Sequence, residues 1–269
     1  MRFLTAGESH GEALSVIISE YPSGIKIDTD FINSELARRQ MGFGRGARMS
    51  IENDEIRIIS GLRKKTTTGS PVSFLIYNLD FKNWQDRLEK EEDLTNPRPG
   101  HADLPGMIKY RLSSIRDVIE RSSARETASR VAVGAFAKIF LKYFGIFILS
   151  YVEQIGNVKI DEQLYRQKIS RNFNPEASKS DAALLSSIEN SMLRCPDENA
   201  SARMASLVRK TIKEGDTLGG AVRVFASNLI AGLGTFTQWD ARLDARIAAA
   251  AMSIPSVKAV SFGSGNSSG

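Results

Sequence analysis

Cysteine is almost missing from this chain of 269 residues: Cys195 stands alone. A single thiol excludes an internal disulfide framework and a cysteine-based zinc site, and no metal site is expected. It fits a reducing, cytoplasmic setting. Long apolar runs are missing as well, and no stretch has the length to span a bilayer. The start, Met1-Arg2-Phe3-Leu4-Thr5-Ala6, reaches Glu8 too soon to read as a signal peptide. No internal repeat or low-complexity linker is visible. Histidine is scarce: there are two, and each sits in a dense polar motif. His10 lies in Gly7-Glu8-Ser9-His10-Gly11, and His101 in Pro97-Arg98-Pro99-Gly100-His101-Ala102-Asp103. Histidine exchanges protons near neutral pH more readily than any other side chain, so both are candidates for proton transfer.

Hydrophobic residues at 42% and charged residues at 25% describe an ordinary globular chain able to bury a sizeable core. The formal net charge is +5. That balance suits a nucleic acid, an anionic lipid or a polyanionic small molecule. Its distribution separates these. Arg38, Arg39, Arg45 and Arg48 crowd a short stretch that holds no acid, and Lys109, Arg111, Arg116, Arg121, Arg125 and Arg130 alternate with Asp117, Glu120 and Glu126. The planar fork of arginine matches carboxylates and phosphates. A nucleic-acid arm would be richer in lysine and in stacking aromatics, so neither a nucleic acid nor a membrane is expected as partner.

Along the chain, residues 12–19 read as a strand and Tyr21-Pro22-Ser23-Gly24 as a turn. Asp30 to Gln40 reads as a helix with Phe31, Ile32 and Leu36 on one face. Strands are expected near 55–60 and 71–78, and Asp86 to Asp93 is charged enough to be a solvated segment. The strongest periodicity runs from Ser122 to Tyr143, where small residues such as Ala128, Ala132 and Ala135 invite close approach of other backbone, and Gly145 is placed to end the helix. A strand over 146–152 follows, then a helix over 200–213 with Met204, Leu207, Val208 and Ile212 on one face, a strand over 221–226 and a helix over 240–252 stopped by Pro255. Strands and helices mix without regular βα alternation, which favours α+β over a doubly wound sheet.

Two motifs are decoys. Gly7-Glu8-Ser9-His10-Gly11 matches the Gly-x-Ser-x-Gly nucleophile elbow in letters, but an elbow needs a strand before it and a helix after it, and the segment that follows has strand character. Gly42-Phe43-Gly44-Arg45-Gly46-Ala47 has the glycines of a dinucleotide fingerprint but follows a helix; an anion-binding loop is the better reading. Arg121-Ser122-Ser123-Ala124-Arg125-Glu126-Thr127 combines a helix cap, with Glu126 three residues after Ser123 as in a capping box, and an anion site.

Taken in order, the motifs resemble the chorismate synthase family. They are Gly-Glu-Ser-His-Gly at the start; Arg38-Arg39 with Gly44-Arg45-Gly46-Ala47-Arg48-Met49; Thr67-Thr68-Gly69-Ser70-Pro71; the His101 motif; Arg121 to Thr127; Gly215-Asp216; and Met252-Ser253-Ile254-Pro255-Ser256-Val257-Lys258. The resemblance implies one domain over residues 1–269 with a β-α-β sandwich, helices packed between antiparallel sheets, in a homotetramer. It implies a lyase reaction, the 1,4-elimination of phosphate from 5-enolpyruvylshikimate 3-phosphate to give chorismate, which requires reduced FMN without net redox change. By the same resemblance His10 gives a proton to the departing phosphate and His101 sits by the flavin. Ser9, Arg39, Arg45, Arg48 and Arg125 contact the substrate. Arg121, Ser122, Ser123, Pro255 and Ser256 contact FMN, and Arg39 and Arg45 meet an NADPH reductant where one is used. The family pattern continues beyond residue 269 with more flavin contacts, so the alternative expectation is a truncated, impaired anion- or flavin-binding remnant, or a subunit active only in an oligomer.

Overall fold

The computed structural model describes residues 1–41, 53–90, 93–161, 165, 169 and 172–263. Two compact units divide the chain, Met1–Ser227 and Asn228–Gly269.

The first unit is organised by alternation. Strands β1 (Arg2–Ala6), β2 (Ala13–Ser19), β3 (Ile56–Ser60) and β6 (Val72–Tyr77) form an antiparallel sheet in the order β1-β2-β6-β3, with the short hairpin β4 (Leu62–Arg63) and β5 (Thr66–Thr67) between β3 and β6. Every second residue of β2 and β6 is buried: Leu14, Val16 and Ile18, then Val72, Phe74 and Ile76. Onto this face pack α1 (Thr29–Gln40) and the longer α5 (Thr127–Lys142). Asp28 caps α1 by accepting the Phe31 N–H at 3.0 Å. Helix α1 contributes Ile32 and Leu36; α5 contributes Ala128, Ala132, Ala135, Phe136 and Ile139. The alanines let the helix approach the sheet, and Phe136 fills the space left, its ring stacked on Phe74 with centroids 5.6 Å apart. Tyr21 threads into the same core and donates its hydroxyl to the Phe136 carbonyl at 2.8 Å. Burial pushes its phenol pKa well up.

The expected helix from Ser122 to Tyr143 is broken at its start. Helix α4 covers Arg116–Ser122, a 3-10 turn covers Ala124–Glu126, and α5 begins at Thr127. Ser123 is extended (φ −62°, ψ 147°) and its hydroxyl accepts the Arg125 N–H at 3.3 Å. Such a side-chain bond competes with helix continuation, so Ser123 caps the short turn and not the long helix. The charged stretch from Asp86 forms the end of a helix, α2 (Phe81–Lys90).

A second core lies under the antiparallel sheet β8-β7-β9, with β7 at Ile148–Ile155, β8 at Val158–Lys159 and β9 at Gly220–Ala226. Leu149 and Tyr151 of β7 meet α6 (Lys179–Asn190) through Ile188, and α7 (Glu198–Glu214) through Ala200 and Met204. The buried line of α7 continues to Thr211, whereas Ile212, expected on that face, is exposed. A 3.6-residue repeat from Ala200 and Met204 reaches position 211, not 212. Phe31, Glu35 and Arg38 of α1 and Lys138 and Lys142 of α5 line a cavity with Ile148 and Ser150 of β7, so the helix pair has sheet on both sides. A charge pair crosses that second contact: Arg38 Nη1 of α1 lies 3.7 Å from Glu189 Oε1 of α6. Within the helix pair, Lys138 Nζ lies 2.7 Å from Glu35 Oε2, and Arg38 also pairs with Glu35. Burial pushes the Glu35 carboxyl up, but Lys138 and Arg38 outweigh it and leave its pKa below the usual value.

In the second unit a 3-10 turn (Trp239–Ala241) precedes α8 (Leu243–Met252), which ends before Pro255 as expected. Among the described residues no helix is long and apolar enough to cross a membrane.

Phe136→Ala empties the space between sheet and helix pair. It is expected to cost about 3–5 kcal/mol, read as a lower urea midpoint at unchanged slope.

Candidate active site

The Gly-Glu-Ser-His-Gly segment is the connection between β1 and β2, not a strand-to-helix elbow. Gly7 opens it with φ +110°, and a Cβ there would stand 2.5 Å from the Ala13 carbonyl oxygen. Only glycine tolerates both conditions. Two walls then fix the loop.

The first wall is α4. The Glu120 carbonyl accepts the Ser9 N–H at 3.0 Å, Glu120 Oε2 accepts the His10 N–H at 2.8 Å, and Oε1 lies 2.8 Å from His10 Nδ1. Ser9 is buried. Trp84 of α2 packs against the His10 ring, with centroids 3.9 Å apart and planes tilted by 33°.

The second wall is a buried ion pair. Asn78, just after β6, donates from Nδ2 to the Gly11 carbonyl at 2.6 Å and to that of Glu8 at 3.3 Å. Its Oδ1 accepts from Arg125 Nε at 2.7 Å. The Arg125 fork closes on Asp54, Nη1 reaching the two carboxylate oxygens at 2.6 and 2.8 Å, while Nη2 reaches the Tyr77 carbonyl at 3.4 Å. Side-chain exposure is 5% for Arg125 and 1% for Asp54, so the pair is desolvated and depends on this saturation. Arg39 joins from the end of α1, with Nη1 3.5 Å from Asp54, Nε on the Thr127 hydroxyl and Nη2 on the Ala124 carbonyl, both at 3.0 Å. On the outside, Arg121 Nη2 donates to the Thr5 carbonyl at 3.0 Å and to its hydroxyl at 2.8 Å, and Nη1 to the Gly7 carbonyl at 3.5 Å.

Ser9 and His10 sit in this loop, Arg121 binds it at Gly7 and Arg125 through Asn78, while Arg39 and Ser123 bond the 3-10 turn that carries Arg125; three separate stretches of sequence meet here. Ser122 is exposed at the end of α4. His101 lies on the exposed turn before α3 (Asp103–Tyr110), with Nδ1 2.9 Å from the Pro99 carbonyl oxygen. That turn is clasped by Arg98, whose Nε and Nη2 donate to Asp103 at 2.8 and 2.9 Å. The Arg98 hydrogen bonds pull the Asp103 carboxyl down to about 2. Arg45 and Arg48 lie outside the described residues. Pro255 and Ser256 follow α8 in the second unit, Ser256 in the left-handed region at φ 70°.

Four residues of the site were not legible as such: Asp54, Asn78, Trp84 and Glu120. Asp54 sits in an ordinary polar turn, Asn53-Asp54-Glu55, and Glu120 reads only as an acid among arginines. The one available signal was Glu120 four residues after Arg116, which pairs with it at 3.8 Å.

Removing one partner of a buried pair strands the other. Arg125→Ala is expected to cost about 3–5 kcal/mol, with Arg125→Lys in between because it keeps the charge and loses the fork; chemical denaturation reads both. Asp103 titrates lower in the folded chain than its ordinary 3.8, so its stabilising contribution is whole above about pH 4 and vanishes as pH falls towards 2. An Asp103→Asn variant should show a flatter loss of stability across that window than the unaltered chain.

The model of the chorismate synthase family matches residues 1–269. Chorismate synthase of Endomicrobium trichonymphae is 48% identical over 271 aligned residues, and that of Sulfurihydrogenibium sp. strain YO3AOP1 is 47% identical over 272; each alignment covers 98% of this chain and 67% of the relative. A solved structure titled "Crystal Structure of Chorismate Synthase" superposes with a TM-score of 0.77 at 39% identity, covering 98% of this chain and 69% of the other. The chain thus spans about two thirds of the length of the relatives it matches.

Proposed function

We propose that this chain, which belongs to the chorismate synthase family, carries out that family's reaction: the 1,4-elimination of phosphate from 5-enolpyruvylshikimate 3-phosphate to give chorismate. The observation that carries the reading is His10, held in a glycine loop by Glu120 of α4 and packed against Trp84. In the reaction one C–O bond breaks to release phosphate, one C–H bond breaks to release a proton, and a new double bond forms. The leaving oxygen gains negative charge as its bond to carbon lengthens. A proton delivered there by His10 acts in the transition state, whereas arginines that hold substrate anions bind ground state and product too.

Ser9, Arg39, Arg45, Arg48 and Arg125 are the proposed substrate contacts. Arg39 and Arg125 are already engaged with Asp54. An anion reaching either competes with that carboxylate, so their first contribution is to hold the loop in place. Reduced FMN, when bound, supplies the electron that the substrate takes up transiently. Its phosphate end suits Arg121, Ser122 and Ser123, because an exposed guanidinium beside two hydroxyls is a donor set matched to phosphate oxygens; Pro255, Ser256 and the exposed ring of His101 complete the proposed flavin contacts. An NADPH reductant would rest on Arg39 and Arg45. A homotetramer in the cytoplasm belongs to the same reading, supported by the exposed apolar side chains of Leu4, Ile17, Val222 and Val224 on the two sheets and by the buried free thiol of Cys195.

The test is anaerobic phosphate release from 5-enolpyruvylshikimate 3-phosphate with chemically reduced FMN. Release with chorismate formation is expected, and a bound but unreacted substrate would contradict the activity. His10→Ala is expected to lower turnover by about 10²–10⁴-fold while flavin affinity changes little. An equal loss of both would contradict the role of His10.

A further inference from the structure

Glu120 offers three oxygens to the Gly-Glu-Ser-His-Gly loop, and each takes one donor from two successive residues: its carbonyl takes Ser9 N–H, Oε2 takes His10 N–H, and Oε1 takes the His10 ring. Anchoring the backbone would need only the first two. The third fixes the imidazole. A carboxylate has only acceptors, so Nδ1 carries the proton in this contact. Trp84 blocks one face of the ring at 3.9 Å and is itself held by Asp80, which accepts its indole N–H at 2.9 Å. Arg116 of α4 lies 3.8 Å from Glu120 Oε1, and the Arg116 and Arg87 guanidinium carbons stand 5.7 and 5.8 Å from the Trp84 ring centroid.

We propose that Glu120 is the positioning residue for His10: by holding Nδ1–H it makes Nε2 the nitrogen that delivers the proton, and it stabilises the imidazolium before delivery. This rests on the reading of His10 as proton donor. In the step the Nε2–H bond breaks and its electron pair stays on nitrogen, an O–H bond forms on the departing phosphate, and His10 is left neutral with its proton on Nδ1. The logic is that of an aspartate orienting the histidine of a hydrolytic triad, here on a loop that is not an elbow. Trp84 serves the same end by packing against the ring.

The experiment compares the unaltered chain with Glu120→Gln and Glu120→Asp. With two histidines in the sequence, nitrogen-15 labelling of histidine gives one Nδ1 and one Nε2 signal from each of two rings, and His10→Ala identifies which pair belongs to His10. The Nδ1–H tautomer of neutral His10 is expected in the unaltered chain. Glutamine presents one acceptor and one NH₂ to two donors, so a mixture of tautomers is expected in Glu120→Gln, with kcat down about 10²-fold or more and KM changed far less. Glu120→Asp, which keeps both acceptors, should restore the tautomer and part of kcat. Glu120→Gln with an unchanged tautomer and near-normal kcat would overturn the proposal. So would a loss confined to KM or to folding, with the tautomer intact in both variants. Should the unaltered chain release no phosphate, the proposed activity fails, and the tautomer populations still decide whether Glu120 positions the ring.

Discussion

The Arg125–Asp54 pair is the contact on which the rest of the site depends. Two nearly inaccessible charges face each other, and their remaining hydrogen-bonding capacity goes to Asn78, Tyr77 and Arg39. Desolvating them is costly, and their attraction offsets that cost only while every partner stays in place. The pair therefore locks together the turn before β3, the end of β6, the 3-10 turn ahead of α5 and the end of α1. Asn78 passes that rigidity to the histidine loop through two backbone carbonyls. Catalytic geometry is reproducible only where the supporting side chains are themselves immobile, and here the support is ionic and central.

Most of the fold follows from local pattern. The alternation in β2 and β6 and the spacing of Ile32 and Leu36 identify two strands and a helix with their buried faces, and the structure has them within a residue or two. The alanine stripe of α5 likewise anticipates its close packing. Side-chain competition with the backbone is less legible: the hydroxyl of Ser123 divides what the periodicity presents as one continuous helix. The apolar face of α7 is displaced by one position at its last turn, since a pattern of fours overshoots a helical repeat of 3.6.

The site was legible in its cations and histidines and not in what holds them. Arg39 and Arg125 read from sequence as forks reaching for a ligand, yet both turn inward to Asp54. Asp54 lies 71 residues from Arg125, and Glu120 lies 110 residues from His10. No local spacing encodes contacts at that separation; they exist because the β1–β2 connection and the break before α5 meet at one end of the sheet. A clustered arginine in sequence marks a charge that needs a partner, and burial decides whether that partner is a ligand or a carboxylate of the chain itself. His101 shows the other outcome, an exposed ring on a turn whose order comes from its neighbours Arg98 and Asp103.

The central claim is that the buried pair immobilises the histidine loop. Amide hydrogen exchange of Ser9 and His10, whose N–H groups are both bonded to Glu120, tests it most directly. In Asp54→Asn, which keeps the shape and removes the charge, these two amides are expected to exchange markedly faster while those of Val16 and Phe74 in the sheet keep their protection, the signature of a local opening. Unchanged exchange at Ser9 and His10 would contradict the account, and would mean that Glu120 and α4 hold the loop without the ion pair.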